Sequence, residues 1–374
     1  MSREYKKFLA ATCQLYPVYG DTAQTTEKVI KYIREAAKNG AKLVVFPEVF
    51  IPGYPNTQPD LFNPDPQENY RHGDPNEDYH DYWANWVNEC IEIPGRETDA
   101  IGRVAKEEGV HVVSGCNEID QSHGGDQRTF NAAFLIGPDG RVIGKHRKVT
   151  PVVLDRTFWS SGGPEDICGV WDTELGKIGV AFCFEHLNML YLAHMIALGQ
   201  QIHCALWSSP GPKDIPHEKA VVSNVIDVTA KAQALIGGLY TIISSFVTPD
   251  DVYPIKGKTT WTWYNHGCSG IVNPFGMYVA GPVYGKEEVI YGEIDFSLIV
   301  KRRLYSDQCA KERIWHLLNI NVNPSVNLPI EYRTEAAIGM ARAIGVLREP
   351  ATAEAATHRI DDLAKRLEVV EKKK

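Results

Sequence analysis

The chain has 374 residues, of which 44% are hydrophobic and 23% are charged, an ordinary composition for a globular protein. A formal net charge of −8 at pH 7 disfavours a nucleic-acid partner, which would require a concentrated basic surface. Eight widely separated cysteines form no CxxC pair, which argues against a zinc ribbon or a disulfide framework and favours a reducing cytoplasm.

The N-terminal part of the chain begins the alternation of strand and helix patterns. Residues 8–16 form an apolar run that predicts a strand, and Pro17 and nearby polar residues make it too short for a signal peptide or a membrane span. Between Asp21 and Gly40 the apolar residues recur at helical spacing, which predicts a helix. The segment "AKLVVFPE" then predicts a buried strand that runs into a loop.

The centre of the chain continues the same alternation. After a polar, aromatic-rich segment at 54–92, "GRETDAIGRVAKEEG" predicts a helix and "VHVVSGCNEI" a strand. "TFNAAFLIGPDGRVIGKHRKV" predicts a hairpin that turns at Pro138-Asp139-Gly140. A strand at 176–182 and a helix at 185–199 follow.

The remaining patterns complete an α/β fold. They predict the strand "IHCALWSS", a helix at 216–236, the strand "YTIISSFV" and a second hairpin in "GIVNPFGMYVAGPV". Such alternation, with some antiparallel pairs, implies a sheet covered by helices. No repeat or low-complexity linker interrupts residues 5–325, which we expect to form one domain, and the Ala-rich residues 326–374 predict an appended helical arm.

Several common catalytic and binding motifs are missing from the sequence. "KGKTT" resembles the end of a phosphate-binding loop, but Val252 stands where that motif requires glycine. The sequence has no HExxH, and His186 and His194 have no obvious third ligand, so we expect no metal. It also lacks the GxSxG of serine hydrolases. The sequence therefore predicts chemistry without a cofactor.

Three polar residues stand at the ends of apolar runs and carry the functional argument. Glu48 lies in "LVVFPEVFIPGYP", Lys148 in "GKHRKVTP" and Cys183 in "VAFCFEHLN". Singly, they could be a turn carboxylate, a solvated basic residue and a packed core thiol. Together they form a set with a known counterpart.

That set resembles the nitrilase superfamily of carbon–nitrogen hydrolases, whose members carry a Glu-Lys-Cys triad in this order. "FPEVFIPGYP" is similar to the nitrilase branch, "HRKVTP" matches the lysine motif, and "CFEH" resembles the cysteine signature with Phe184 in place of tryptophan. The resemblance extends over "TFNAAFLIGPDG", "GQQIHCALWSS" and "VNPFGMYVAGP", so it covers most of residues 5–300. It implies a four-layer α-β-β-α sandwich, usually paired through helices.

The resemblance also implies a role for each member of the set. Glu48 is the expected general base, Lys148 the electrostatic stabiliser and Cys183 the nucleophile. A thiol must ionise before it attacks, and Cys183 precedes a predicted helix whose free N–H groups favour negative charge. Lys148 and the backbone N–H of Phe184 are expected to stabilise the charge that develops on a nitrile nitrogen or an amide oxygen.

Further candidates flank the three motifs. Asp155 stands seven residues after Lys148, where nitrilases usually carry a glutamate that helps to hold the substrate. The segment "SDQCAKERIWHL" also departs from a histidine-containing stretch of many nitrilases. Six residues are candidates for the substrate pocket, with a place in the core or in a polar helix start as the alternative: Tyr54, Trp159, Phe184, Glu185, His186 and Trp207.

The first functional hypothesis is a nitrilase that converts an organic nitrile to its carboxylic acid and ammonia. The alternatives are an amidase-type or nitrile-hydrating member of the same superfamily, and an inactive homologue that acts as a scaffold. The expected partners are a small nitrile or amide and further copies of the chain, as a homodimer or a larger helical homo-oligomer. The apolar pattern at 187–198 favours such assembly, although it is also compatible with burial inside a monomer.

Overall fold

The structure of the chain is a computed structural model, and it describes residues 4–55, 79–121, 128–152, 155–156, 158–163, 166–167, 169–211, 213–250 and 264–307. The predicted C-terminal arm, 326–374, lies outside the described residues. The described residues all fall within one compact unit, Met1–Ser325.

Most strands in the described residues follow predicted apolar runs, but those at 170–173, 210–211, 264–265 and 288–295 were not predicted from the sequence. They are β1 (Lys7–Gln14), β2 (Ala41–Val45), β3 (His111–Asp120), β4 (Arg128–Ile136), β5 (Val142–Arg147), β6 (Val170–Thr173), β7 (Gly176–Phe182), β8 (Ile202–Trp207), β9 (Pro210–Gly211), β10 (Tyr240–Ser245), β11 (Tyr264–Asn265), β12 (Gly267–Val272), β13 (Tyr278–Tyr284) and β14 (Glu288–Asp295).

The helices of the same residues connect these strands. They are α1 (Thr22–Lys38), α2 (Tyr79–Asn88), α3 (Arg96–Glu108), α4 (Met189–Ala197), α5 (Val221–Gly237) and α6 (Phe296–Arg302), with short 3₁₀ helices at Cys183–Leu187 and His217–Lys219. None of these helices is long and apolar enough to cross a membrane.

The strands form two six-stranded sheets and one small pair. The first sheet has the order β14-β1-β2-β3-β4-β5, and the second has the order β13-β12-β10-β8-β7-β6. In both sheets the central strands are parallel and the outer ones antiparallel. The mixed pairing matches the α/β alternation, in which hairpins and helical crossovers both occur.

The alternation of side chains along β2 shows how the layers are arranged. Leu43 and Val45 pack with residues of the second sheet, whereas Val44, between them, packs with the apolar face of α1. Successive side chains of a strand point to opposite faces, so one face of the sheet meets the other sheet and one meets helices. The two sheets also exchange hydrogen bonds, from Thr12 Oγ1 to the carbonyl of Ile243 at 2.7 Å.

The outer layers are helical on both sides. Apolar residues of α1 and α3 share a core with the first sheet, and those of α5 share a core with the second. Tyr191 and Met195 of α4 pack on Ala181 of β7. The order helix, sheet, sheet, helix confirms the predicted α-β-β-α sandwich.

One predicted helix is divided in the structure. The pattern at 185–199 predicted a continuous helix, but Cys183–Leu187 is a 3₁₀ helix and α4 starts only at Met189. The reason is Asn188, whose side chain accepts a hydrogen bond from the backbone N–H of Tyr191 at 3.1 Å and so caps a new helix. Cys183 therefore lies in a tight turn and not just before an α-helix.

Candidate active site

The three motif residues meet where strands of both sheets end. Glu48 follows β2, Lys148 directly follows β5, and Cys183 directly follows β7. Since β5 belongs to the first sheet and β7 to the second, the site lies between the two sheets. All three side chains are buried, with the residue Cys183 8% exposed.

The Glu48 carboxylate is held by donors on both of its oxygens. Oε1 accepts hydrogen bonds from Lys148 Nζ at 2.9 Å and from Asn131 Nδ2 at 2.7 Å. Oε2 accepts one from the backbone N–H of Ser208 at 3.0 Å. Burial raises the pKa of Glu48 above its ordinary value, against the opposing charge of Lys148. The arrangement combines a fixed position with increased basicity, both of which a general base needs.

The Lys148 ammonium lies between two carboxylates. Its Nζ is 2.9 Å from Glu48 Oε1 and 3.0 Å from Asp155 Oδ2, and its side chain has no exposed surface. Burial alone would lower the pKa of Lys148, but the negative charges of its neighbours, Glu48 first, outweigh that effect and raise it well above its ordinary value. Lys148 is thus a permanent positive charge at the site.

Asp155 links Lys148 to the aromatic residue Tyr54. Its Oδ2 accepts hydrogen bonds from Lys148 and from the backbone N–H of Val152, each at 3.0 Å, and its Oδ1 accepts one from the Tyr54 hydroxyl. The ring of Tyr54 meets Trp159 edge-on, with centroids 5.0 Å apart. Tyr54 and Trp159 therefore pack together next to the Lys148–Asp155 pair.

Cys183 combines an unusual backbone conformation with a thiol whose pKa is raised. Its φ is 42°, in the left-handed region that costs a non-glycine residue about 1–3 kcal/mol. Burial, reinforced by the charges of Glu48 and Asp155, raises its pKa well above the ordinary value, while Lys148 and the backbone N–H of Phe184 oppose the rise. The charges of Glu48, Asp155 and Lys148 thus act on the Cys183 thiol, the two carboxylates favouring its protonated form and the ammonium its thiolate.

The other pocket candidates lie on different sides of the cysteine turn. Trp207 is fully buried, stacks on His186 with ring centroids 4.9 Å apart, and is met edge-on by Phe184 at 6.2 Å. His186 donates from Nδ1 to the carbonyl of Cys183 at 2.7 Å. Burial lowers the pKa of His186 to about 4. His186 and Trp207 thus support the turn from its core side.

Glu185 has both oxygens occupied by protein donors. Oε1 accepts from the backbone N–H of Val149 at 2.7 Å, and Oε2 accepts from that of Phe182 at 2.9 Å and lies 3.0 Å from His146 Nε2. The carboxylate is buried, and this full set of partners favours the structural alternative for Glu185 over a place on the pocket wall.

Two groups around Glu48 were not singled out from the sequence. Asn131 and Ser208 lie in "TFNAAF" and "LWSS", which both belong to the resembling segments, but a strand pattern does not reveal the partner of a polar side chain. In the described parts of the chain, no group of three or more His, Cys, Asp or Glu side chains is arranged to hold a metal ion.

Comparisons with known proteins show the family of the chain. The family model described as "Carbon-nitrogen hydrolase" matches residues 9–303. Nitrilase 3 of Arabidopsis thaliana is 30% identical over 329 residues, which are 85% of this chain and 87% of that protein. The bifunctional nitrilase/nitrile hydratase NIT4B of Nicotiana tabacum is 29% identical over 332 residues, covering 86% and 88%.

A solved structure has the same fold as this chain. Nit3 of Saccharomyces cerevisiae, a member of branch 10 of the nitrilase superfamily, superposes with a TM-score of 0.61 at 21% identity. The match covers 84% of this chain and 99% of that one. The two proteins therefore share one architecture over nearly their whole common length.

Proposed function

The chain belongs to the carbon–nitrogen hydrolase family and is an enzyme of that family, and on this premise we propose that it is a nitrilase. The proposed reaction hydrolyses a small organic nitrile to its carboxylic acid and ammonia through a covalent intermediate on Cys183. The observation that carries the proposal is the buried Glu48–Lys148 pair beside a thiol held in a left-handed turn.

The proposed reaction begins with the thiol. Glu48 takes the proton of Cys183, and the sulfur attacks the nitrile carbon while one electron pair of the C≡N bond moves to nitrogen. Lys148 and the backbone N–H of Phe184 stabilise the developing charge. The nitrogen takes the proton from Glu48, which leaves a thioimidate on the sulfur and a carboxylate ready for the next step.

Two water molecules complete the proposed turnover. Glu48 activates the first, which adds to the thioimidate carbon to give a tetrahedral intermediate, and its breakdown with protonation of nitrogen releases ammonia and leaves a thioester. The second water attacks the thioester, the C–S bond breaks, and the thiol of Cys183 regains a proton. One nitrile and two waters thus give one carboxylic acid and one ammonia.

The alternative outcome depends on which bond of the tetrahedral intermediate breaks. If the C–S bond breaks first, one water is consumed and an amide leaves. A relative from Nicotiana tabacum is named for both nitrilase and nitrile hydratase activity, which supports keeping this alternative. An amidase-type reaction would reach the same thioester from an amide. We propose acid as the main product because Asp155 retains the carboxylate next to Lys148 that favours loss of ammonia.

A panel of aliphatic and aromatic nitriles, each with its matching amide, tests the function. We expect ammonia and acid in equal amounts from at least one nitrile, and no ammonia when Cys183→Ala replaces wild type. Cys116→Ala, at a fully buried cysteine, should keep turnover within about threefold because its thiol belongs to the core. Ammonia from amides alone favours the amidase. Amide in excess of acid from a nitrile favours the hydratase, and neither amide nor ammonia from any compound favours a scaffold.

The assembly is proposed to be at least a homodimer. Leu187, Met189 and Leu190 are 54%, 80% and 72% exposed at the start of α4, which is an apolar surface beside the cysteine turn. Light scattering should give a mass well above the 41.8 kDa of one chain, and a constant mass of one chain at all concentrations would contradict it.

A cytoplasmic location remains our proposal, which cell fractionation checks.

A further inference from the structure

We infer that Glu185 is a positioning residue that sets the spacing between Lys148 and Cys183 across the two sheets. The inference rests on the proposed roles of those two residues. Glu185 Oε1 accepts from the backbone N–H of Val149, the residue after Lys148, at 2.7 Å. Its Oε2 accepts from the backbone N–H of Phe182, the residue before Cys183, at 2.9 Å.

The link matters because, in the part of the chain that the structure describes, no strand pairing joins the two loops. Lys148 leaves β5 at the edge of the first sheet, whereas Cys183 leaves β7 of the second sheet. One planar carboxylate that binds both backbones therefore holds two loops whose strands belong to different sheets. Glu48 and Asp155 hold the ammonium end of the Lys148 side chain. Glu185 holds the backbone beside Lys148, through the N–H of Val149.

A carboxylate is the side chain that this place requires. Two backbone donors approach two different oxygens, and His146 adds a third contact, 3.0 Å from Oε2. His146 Nδ1 lies 2.8 Å from the carbonyl of Asp166, which can only accept, so Nδ1 carries a proton. A second proton must lie between Nε2 and Oε2, since two acceptors would otherwise face each other. An amide has only one acceptor oxygen and cannot satisfy both backbone N–H groups.

The turn that Glu185 holds is strained at the nucleophile. Cys183 has a φ of 42°, and the hydrogen bond from Phe182 to Glu185 closes the turn on one side of it. On the other side, His186 binds the Cys183 carbonyl. Loss of the first contact permits the turn to relax, and a displacement of about 1 Å at a reacting group costs about a hundredfold in rate.

The test compares Glu185→Gln with Asp295→Asn as a matched control. Asp295 is a partly buried carboxylate that likewise binds a backbone N–H, of Ser297 at 2.8 Å, and a cation, Lys7 at 2.8 Å. It lies at the opposite end of the first sheet, where it faces Lys7 at the start of β1. Unfolded protein is first removed by size-exclusion chromatography, and rates are then expressed per Cys183 thiol, counted by iodoacetamide labelling and peptide mass mapping, so that loss of folded protein does not appear as loss of catalysis.

For Glu185→Gln we expect kcat per thiol to fall about a hundredfold, KM to stay within about threefold, and alkylation of Cys183 to slow about tenfold. Asp295→Asn should keep all three within about threefold. A kcat per thiol for Glu185→Gln within threefold of wild type, or no larger a loss than for Asp295→Asn, overturns the inference.

A second variant covers the case in which Glu185→Gln does not fold. His146→Gln keeps both backbone hydrogen bonds of Glu185 but releases the carboxylate on one side, so kcat per thiol should fall about tenfold with KM unchanged. A fall smaller than twofold overturns the inference. If wild type hydrolyses no nitrile or amide, the proposed function fails, and the alkylation rates of Cys183 in these same variants still decide the role of Glu185.

Discussion

Replacement of Asp155 by alanine tests the part of the site where the sequence departs from the resemblance described above, with aspartate in place of the expected glutamate. The change removes the acceptor of three hydrogen bonds, from Lys148 Nζ, the Val152 N–H and the Tyr54 hydroxyl. Lys148 has no exposed side-chain surface, and among the residues that the structure describes the variant leaves it only Glu48 as an ion-pair partner. The variant therefore leaves a buried ammonium half-compensated, which changes both stability and catalysis.

The structure sets the size of both effects. Removal of one partner of a buried ion pair costs about 3–5 kcal/mol, and the remaining contact with Glu48 places the loss of folding free energy at the lower end, about 3 kcal/mol. A shift of Lys148 towards Glu48 moves the charge that stabilises the developing anion, and about 1 Å of misplacement corresponds to about a hundredfold in kcat. We expect both losses together.

Asp155→Glu changes the position of the carboxylate but keeps its negative charge. The extra methylene moves the carboxylate about 1–1.5 Å forward, as judged from standard bond lengths. We expect an active enzyme whose ratio of acid to amide differs from that of wild type, because the carboxylate meets the tetrahedral intermediate at a different distance. Product ratios are measured by chromatography on a nitrile substrate, and urea unfolding gives the stability of each variant.

The control is Arg156→Ala, at the exposed neighbour of Asp155, which should keep rate and product ratio within about twofold. Turnover and product ratio of Asp155→Ala within about twofold of wild type would refute the reasoning. A loss of folding stability without a loss of kcat would show that Asp155 only compensates the charge of Lys148 in the folded chain.

Two further predictions concern the contacts around this network. Tyr54→Phe removes one donor to Asp155, so kcat should fall about tenfold with the fold intact, and steady-state rates of a purified variant that match wild type would contradict this. The His146–Glu185 pair should stabilise the fold most between about pH 4.5 and 6.5, because its folded-state partners raise the pKa of His146 above 6.5 and lower that of Glu185 below 4.5. The stabilisation by this pair is lost as the pH rises through the raised pKa of His146, or as it falls through the lowered pKa of Glu185. The gap in urea midpoint between wild type and His146→Gln should therefore narrow towards both extremes, and a constant gap would contradict the prediction.

The local elements could be predicted from the sequence because each depends on neighbouring residues. The strand pattern at 176–182 became β7, and the hairpin turn at Pro138-Asp139-Gly140 became the connection between β4 and β5. The division of the helix at 185–199 depended on whether one side chain, Asn188, caps a helix or continues it. Apolar spacing does not decide that choice.

The contacts between sheets could not be predicted from periodicity. In the sequence, Glu185 was interpreted as a polar residue at a helix start. Its partner Val149 is 36 positions away, in the loop that follows a strand of the other sheet. Asn131 likewise donates a hydrogen bond to Glu48, which is 83 positions away in the sequence. Alternation predicts which face of a strand is buried, but not which polar group lies opposite it.

The most direct test of the nitrilase proposal is to acid-quench the enzyme during turnover of a nitrile and to map the covalent product by mass spectrometry. We predict an adduct with the mass of the acyl or imidoyl group on the peptide that contains Cys183, which disappears when the nitrile is exhausted. Cys183→Ala should show no adduct and less than about a thousandth of the wild-type rate. An adduct on another residue, or turnover by Cys183→Ala above about a hundredth of wild type, would contradict the proposal.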